Sequence, residues 1–307
     1  MGATIRQFYT SALSPRYGAA GAFFDFAANR FSHGFTHQRS GSAGYVTRTG
    51  RYALAPADTL RLDHRYGQPG VLLEGAGTNL LSHAIVDASA GWHASGATAT
   101  DAGQPQPDLG RGVLVASGGA TWHRLLHSAR PAIQAGQRIS FSVLLALGSS
   151  GRVRVVFRDN ALGTEFSLAF DGTGIETFTP GQFADLAVGP ADEHGQLWLT
   201  GGFVPADDGT LNFGIGPDTV TPGEDVLLRA AQLEQAPAPS SLIPSAGSPL
   251  SRGADQVDWG VADGLYDVEL TRVDGTVTTL AAQSVTAGWN VPPSPVALSR
   301  VMFYAST

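Results

Sequence analysis

Cysteine is absent from the 307 residues. The chain therefore has neither a disulfide framework nor a Cys-ligated metal site, and it is indifferent to redox compartment. Lysine is absent too, since all 19 basic residues are Arg. A GC-rich genome produces such a bias, and we give it no functional weight. No apolar run reaches ~18 residues, so no transmembrane helix is expected. Met1-Gly2-Ala3-Thr4-Ile5-Arg6 lacks the apolar centre of a signal peptide, and Arg6 breaks the myristoylation pattern. Export by the general route is not expected. The sequence also lacks a Gly-x-Ser-x-Gly elbow, a phosphate loop and a His-Glu-x-x-His pair.

Turn formers and apolar residues are plentiful: Gly 39, Pro 18 and 43% hydrophobic. With many Val and Thr and few helical repeats, this composition points to an all-β protein rich in turns. The length suits about two domains at ~150 residues each. Charge is unevenly placed. Residues 1–83 hold eight Arg against four acids (net +4), residues 84–307 eleven Arg against 22 acids (net −11), and the sum is the −7 of the whole chain. A basic leading segment docks on an acidic partner or is simply solvated. The acidic body argues against nucleic acid, which needs a dense basic face.

The chain is organised around Gly70-Val71-Leu72-Leu73-Glu74-Gly75-Ala76-Gly77-Thr78-Asn79-Leu80-Leu81. Val71 to Leu73 reads as a buried strand, Gly75 and Gly77 open backbone angles closed to other residues, and Thr78 and Asn79 suit a turn. Before it, residues 1–34 carry seven Phe and Tyr without a clean period, apart from a short helix predicted near Ala20 to Asn29. An aromatic segment of this kind must bury against its own body, a sister subunit or another protein. Tyr45 to Arg51 forms a short hairpin around Thr49-Gly50.

After it, short apolar runs recur. Strands are predicted at Val113–Ala116, Thr121–His127, Arg138–Leu145, Arg152–Phe157, Glu165–Phe170, Leu197–Phe203, Thr210–Ile215 and Val226–Leu233, with Gly and Asp-Gly turns between them. Eight such strands suit a double-sheet jelly roll. At the end, Tyr266–Val273, Asp274-Gly275 and Thr276–Leu280 form a hairpin, and Val285–Asn290 and Val296–Tyr304 complete a meander.

The candidates for chemistry are few. His123 and His127 lie ~13 Å apart if they sit on one strand, too far for one metal. Asp192-Glu193 and Asp207-Asp208 read as solvated turns rather than a glycosidase pair or a Ca²⁺ loop. No metal or cofactor is expected. What remains is sugar binding, in which a ring's C–H face stacks on an aromatic and Arg, Asn or Gln orients the hydroxyls. Trp122 and Arg124 share one strand face, Arg152, Arg154 and Arg158 another, and Trp198 lies on a third strand. Trp122, Arg124, Arg152, Arg154 and Trp198 are thus the candidate glycan-binding set, burial between sheets being the alternative for the two Trp. Trp92, Trp259 and Trp289 read as packing anchors.

Three pieces carry a family resemblance: the 70–81 stretch, Tyr45–Arg51 followed by Arg61-Leu62-Asp63, and Ala231-Gln232-Leu233-Glu234 with Ile243-Pro244-Ser245 and Arg252-Gly253-Ala254-Asp255. Together they frame roughly residues 35 to 258. The chain resembles phage and prophage tail-fibre, head-fibre and spike structural proteins with a carbohydrate-binding-like jelly roll, including head spikes of gene transfer agents. Gly77 departs from that pattern, which usually has Arg there. The resemblance implies an attachment arm at 1–83, a jelly roll at 84–255 and a small C-terminal β domain at 256–307. It implies a non-enzymatic homo-oligomer on a virion or phage-like particle, made in the bacterial cytoplasm and released by lysis. Such a protein contacts capsid or tail proteins through its arm and host cell-surface or capsule polysaccharide through its jelly roll, without membrane insertion. A purely structural adaptor and a glycan-degrading enzyme are the alternatives.

Overall fold

Short apolar runs bounded by glycine become strands throughout the chain. The structure is a computed structural model that describes residues 3–5, 20–103, 106–120, 123–159, 165–179 and 181–306. It is all-β, with several separate sheets. Its contacts divide into two units, one spanning Gly77–Ser251 and the other formed by the segments on either side, Met1–Ala76 and Arg252–Thr307.

The inserted unit, Gly77–Ser251, is β-sandwich-like. One sheet orders Trp92–Ser95, Arg124–His127, Gly209–Pro217, Val153–Asp159, Glu165–Phe170 and Ile175–Thr177, with Ala132–Ile133 also on Gly209–Pro217. The other orders Ala97–Asp101, Val113–Ser117, Asp225–Gln235, Ile139–Ala146, Leu197–Phe203 and Phe183–Val188. The pairing is nested. Val113–Ser117 lies on Asp225–Gln235, Arg124–His127 on Gly209–Pro217, Ile139–Ala146 on Leu197–Phe203, and Val153–Asp159 on Glu165–Phe170.

Successive strand residues point to opposite faces. Ile139, Phe141, Val143 and Leu145 from one sheet therefore meet Val153, Val155, Phe157, Phe213 and Ile215 from the other in a single apolar core. Phe157 is its hub, with ring centroids 4.9 Å from Phe203, 5.1 Å from Phe141 and 5.2 Å from Phe213. Trp92 is buried against Phe213 and the edge of His127, and its indole donates to the His83 carbonyl. The ends of the unit are close together, because the Thr78 and Ser251 hydroxyls share a 2.8 Å hydrogen bond.

The flanking unit is built differently from the expected arm and separate tail piece. Ala22–Asp25 pairs with Leu298–Ala305, and Phe35–Gln38 pairs with Gln256–Asp258, so leading and trailing residues form common sheets. The helix predicted near Ala20 to Asn29 is a strand at Ala22–Asp25. Its alternation explains why: Phe24 enters a core of Phe26, Phe31, Phe35, Trp259 and Phe303, while Phe23 packs with Met302 on the other face. A helix would place both on adjoining faces and lose the ladder to Leu298–Ala305. The hairpins around Gly50 and Gly275 are present, with φ of +79° and +88° at the two glycines.

Six of the buried charged or titratable residues in this unit form one cluster: His37, Arg39, Arg61, Glu74, Arg252 and Asp255. Asp255 accepts from His37 Nε2 (2.8 Å), Arg39 Nη1 (3.1 Å), Arg61 Nη2 (2.5 Å) and the Glu74 backbone N–H (2.8 Å). Glu74 accepts from Arg61 Nη1 (2.7 Å) and Arg252 Nη1 (2.5 Å). Spare guanidinium hydrogens reach carbonyls, Arg39 to Pro56 and Thr59 and Arg61 to Gly44. Burial alone would raise the Asp255 carboxyl. The His37 hydrogen bond and the Arg61 and Arg39 charges outweigh it and hold Asp255 well below the usual carboxylate range. The cluster ties residues 74 and 252–255, where the chain leaves this unit and returns to it.

Candidate functional site

The strand Val153–Asp159 turns Val153, Val155 and Phe157 into the core, which places Arg154, Val156 and Arg158 on the outer face of its sheet. The neighbouring strand turns Leu211, Phe213 and Ile215 inward and leaves Asn212, Gly214 and Gly216 on that outer face. The register sets Arg154 beside Gly216 on one side and Ala169 on the other, with Glu176 beyond Ala169. Small residues thus flank Arg154, and its guanidinium is free to cross the sheet.

That guanidinium donates to Ser167 Oγ from Nε (3.2 Å) and Nη2 (3.0 Å), and to Asp218 Oδ1 from Nη1 (3.5 Å). Its carbon lies 4.0 Å from the ring centroid of Phe178, a cation–π contact. Phe178 is 41% exposed. Arg152 donates to Asp218 Oδ2 from Nε (2.7 Å) and to Glu176 from Nη2. Those two hydrogen bonds raise its pKa. The result is a half-exposed aromatic ring beside two fixed guanidiniums, two carboxylates and a hydroxyl.

The expected set of five is only partly assembled here. Arg152 and Arg154 stand together. Arg124 lies on the same face, next to Gly216, where an added Cβ would meet Arg124 Cα at 3.2 Å. Arg124 is buried, and its Nη1 donates to the His123 carbonyl at 2.7 Å. Burial first, then the like charge of Arg154, push its pKa down to about 10 against the pull of Asp218 and Glu165. It is buried and is not a surface contact. Trp198 is set apart. Leu197 and Leu199 face the core, so Trp198 sits on the outer face of the other sheet, opposite Leu144. Trp122 lies outside the described residues. Asp192 accepts from the Gln196 backbone N–H and closes its own turn, and Asp208 accepts from the backbone N–H of Ala135, 73 residues away, and ties its turn to that loop.

Phe178, Glu176, Ser167 and Asp218 were not among the sequence candidates. One signal for Phe178 was available: it is the one large aromatic in the turn-rich run Gly174-Ile175-Glu176-Thr177-Phe178-Thr179-Pro180-Gly181. The others become legible only through the register.

No family model and no curated protein matches the chain. Among solved structures, one similarity is to the CBM22-1–GH10 modules of Clostridium thermocellum endo-1,4-beta-D-xylanase 10B complexed with xylohexaose. It has a TM-score of 0.33 and 12% identity, and covers 54% of this chain but only 29% of that one. A likeness this weak supports no inference about fold or function.

Proposed function

We propose that this chain is a non-enzymatic fibre or spike protein of a virion or phage-like particle, whose inserted sandwich binds a cell-surface polysaccharide. The observation that carries the reading is the platform of Phe178, Arg154, Arg152, Asp218, Glu176 and Ser167. A sugar's C–H face stacks on an exposed ring, and fixed donors and acceptors around it match hydroxyls. Two Arg face two carboxylates, so the platform carries no large net charge and suits a hydroxyl-rich glycan. Glu176 and Asp218 both engage the Arg152 guanidinium. Neither stands free as general acid or nucleophile, which supports binding over hydrolysis.

The nested antiparallel pairing, first strand with last and second with next-to-last, supports a jelly roll as the finer description of the sandwich. The virion setting rests on the resemblance carried by Arg61, Glu74, Arg252 and Asp255 among others. Contact with other virion proteins is assigned to the flanking unit, whose Arg30, Arg48 and Arg51 are exposed. One shallow platform binds weakly, and several copies displayed together convert that into useful avidity.

The test is binding of purified protein to intact bacteria with and without their surface polysaccharide, beside Phe178→Ala and Arg154→Ala variants. The expected result is binding that needs the polysaccharide and falls at least ~10-fold, or about 1.4 kcal/mol, in each folded variant. Wild type that ignores the polysaccharide supports a structural adaptor instead. Polysaccharide-dependent binding that survives both substitutions moves the site elsewhere.

A further inference from the structure

Every guanidinium and carboxylate of the platform has a partner, yet not every atom does. All three nitrogens of Arg154 are committed, Nε and Nη2 to Ser167 and Nη1 to Asp218. Arg152 commits Nε to Asp218 and Nη2 to Glu176 Oε2. Two atoms are left over. Among the described residues no hydrogen bond reaches Arg152 Nη1 or Glu176 Oε1, and neither is sealed from solvent. The two side chains are 32% and 59% exposed. Nη1 and Oε1 belong to groups already joined to each other, so an open donor and an open acceptor stand side by side.

A hydroxyl both donates and accepts, so one sugar hydroxyl answers both atoms. A carboxylate accepts only and an ammonium donates only. A carboxylate at Arg152 Nη1 would lie against Glu176, and an ammonium at Glu176 Oε1 would lie against Arg152. The surroundings add to the first cost. Asp218 and Glu176 sit on Arg152, and Asp171 is near enough for the Arg152 charge to act on its carboxyl. The whole inserted unit carries eight Arg against 16 acids, a net of −8. Such a field repels a polyanion within a Debye length of the surface, about 8 Å at physiological salt. The spacing suits a sugar as well. Ile175 packs on the core, so Glu176 points outward, and Phe178, whose N–H continues the ladder to the Ser167 carbonyl, lies on the same side. Two residues of strand rise about 6.6 Å, so a sugar stacked on the ring brings its edge hydroxyls to the carboxylate.

We infer that the platform takes an uncharged polysaccharide, and that Glu176 and Arg152 select it by sharing one sugar hydroxyl. The inference rests on the glycan-binding reading above and deepens it. Phe178, held by Arg154, supplies the stacking surface. Glu176 supplies the discrimination against acidic sugars, and Arg152 and Arg154 that against cationic ones.

The test compares ligand classes on the full-length protein. Surface polysaccharide from the bacteria used above is split by anion exchange into uncharged and acidic pools. Each pool is immobilised and titrated with protein in about 0.1 and 1 M NaCl, where the Debye length is about 10 and 3 Å. Wild type should bind the uncharged pool at least ~10-fold more tightly than the acidic one at the lower salt, since like charges brought together oppose binding. Added salt should leave the uncharged affinity within ~2-fold. Glu176→Ala removes a hydrogen bond to a charged group, and should weaken uncharged binding at least ~10-fold. It should also narrow the gap between the pools, which a merely unfolded fraction of protein would not do. An acidic pool bound as tightly as the uncharged one overturns the inference and leaves glycan binding standing, and so does uncharged binding that survives Glu176→Ala. Binding of neither pool removes the glycan reading itself. Should Glu176→Ala fail to fold, the two pools with wild type decide alone.

Discussion

The two units hold their ion pairs differently. In the flanking unit, three Arg, two carboxylates and a His are sealed inside as one cluster, and Asp25 and Asp63 are buried as well. In the inserted unit, the ion pairs of Arg138, Arg152 and Arg154 face solvent and the core cluster is aliphatic and aromatic, while Arg124, Arg229 and Glu234 are buried at separate places. A buried ionic network is weak evidence of stability, because desolvation offsets most of the attraction, but removing one member leaves a charge stranded. A surface ion pair is worth about 0–1 kcal/mol, and its loss harms the fold little. The comparison teaches that a connected cluster of buried charges ties distant segments in one unit, while the ion pairs of the other stay open to solvent.

The largest effects should separate the units. Asp255→Ala strands Arg39 and Arg61, and should cost the flanking unit about 3–5 kcal/mol. Phe157→Ala empties the centre of the sandwich, and should cost the inserted unit about 3–5 kcal/mol. Differential scanning calorimetry should show each substitution lowering a different transition. A common shift would break the comparison.

Acid should sharpen it. Burial, then the like charges of His83 and His93, lower the His127 pKa below its ordinary value of 6.5, against a raising hydrogen bond with Ala129. A group depressed on folding is neutral above its unfolded pKa and costs stability as pH falls through 6.5 towards the folded value. Asp255 is also depressed, from 3.8, so its contribution persists until pH falls below about that value. The inserted unit should therefore start to weaken first on acidification. Urea titrations followed at pH 7.5, 5.5 and 4.5 read this directly, and His127→Gln should flatten the first drop.

The smallest stability change belongs to the platform. Phe178→Ala should leave the melt within ~0.5 kcal/mol of wild type, as surface substitutions do. A larger loss would mean that Phe178 is packing rather than presenting its ring.

The core strands of the sandwich were legible as alternating apolar runs, and all eight predicted runs coincide with strands to within a few residues at their ends. The unread ones are mostly edges. Ala97-Thr98-Ala99-Thr100-Asp101 alternates only small side chains, and Phe183–Val188 is largely solvated, so neither shows a strong period. Arg61, Glu74, Arg252 and Asp255 were visible as motif residues, yet nothing local announced that they would be buried together. A charged side chain reads as solvated unless its partners are known, and Asp255 lies 194 residues from Arg61. The same limit hid the platform, where Asp218 meets Arg152 and Arg154 through strand register alone. Gly77 is a further case. A Cβ there would come within 2.7 Å of Glu234 Oε1, and Glu234 is instead bonded by Ser240 and Gln232.

The most direct test of the account is the thermal melt of residues 77–251 produced alone. The Thr78–Ser251 bond and the self-contained core predict a folded fragment that melts cooperatively, at the temperature of the transition that Phe157→Ala lowers in the full chain, and that is untouched by the Asp255 cluster. A fragment that is unfolded, or that melts far below that transition, would contradict it, since the sandwich would then depend on the buried charges next door.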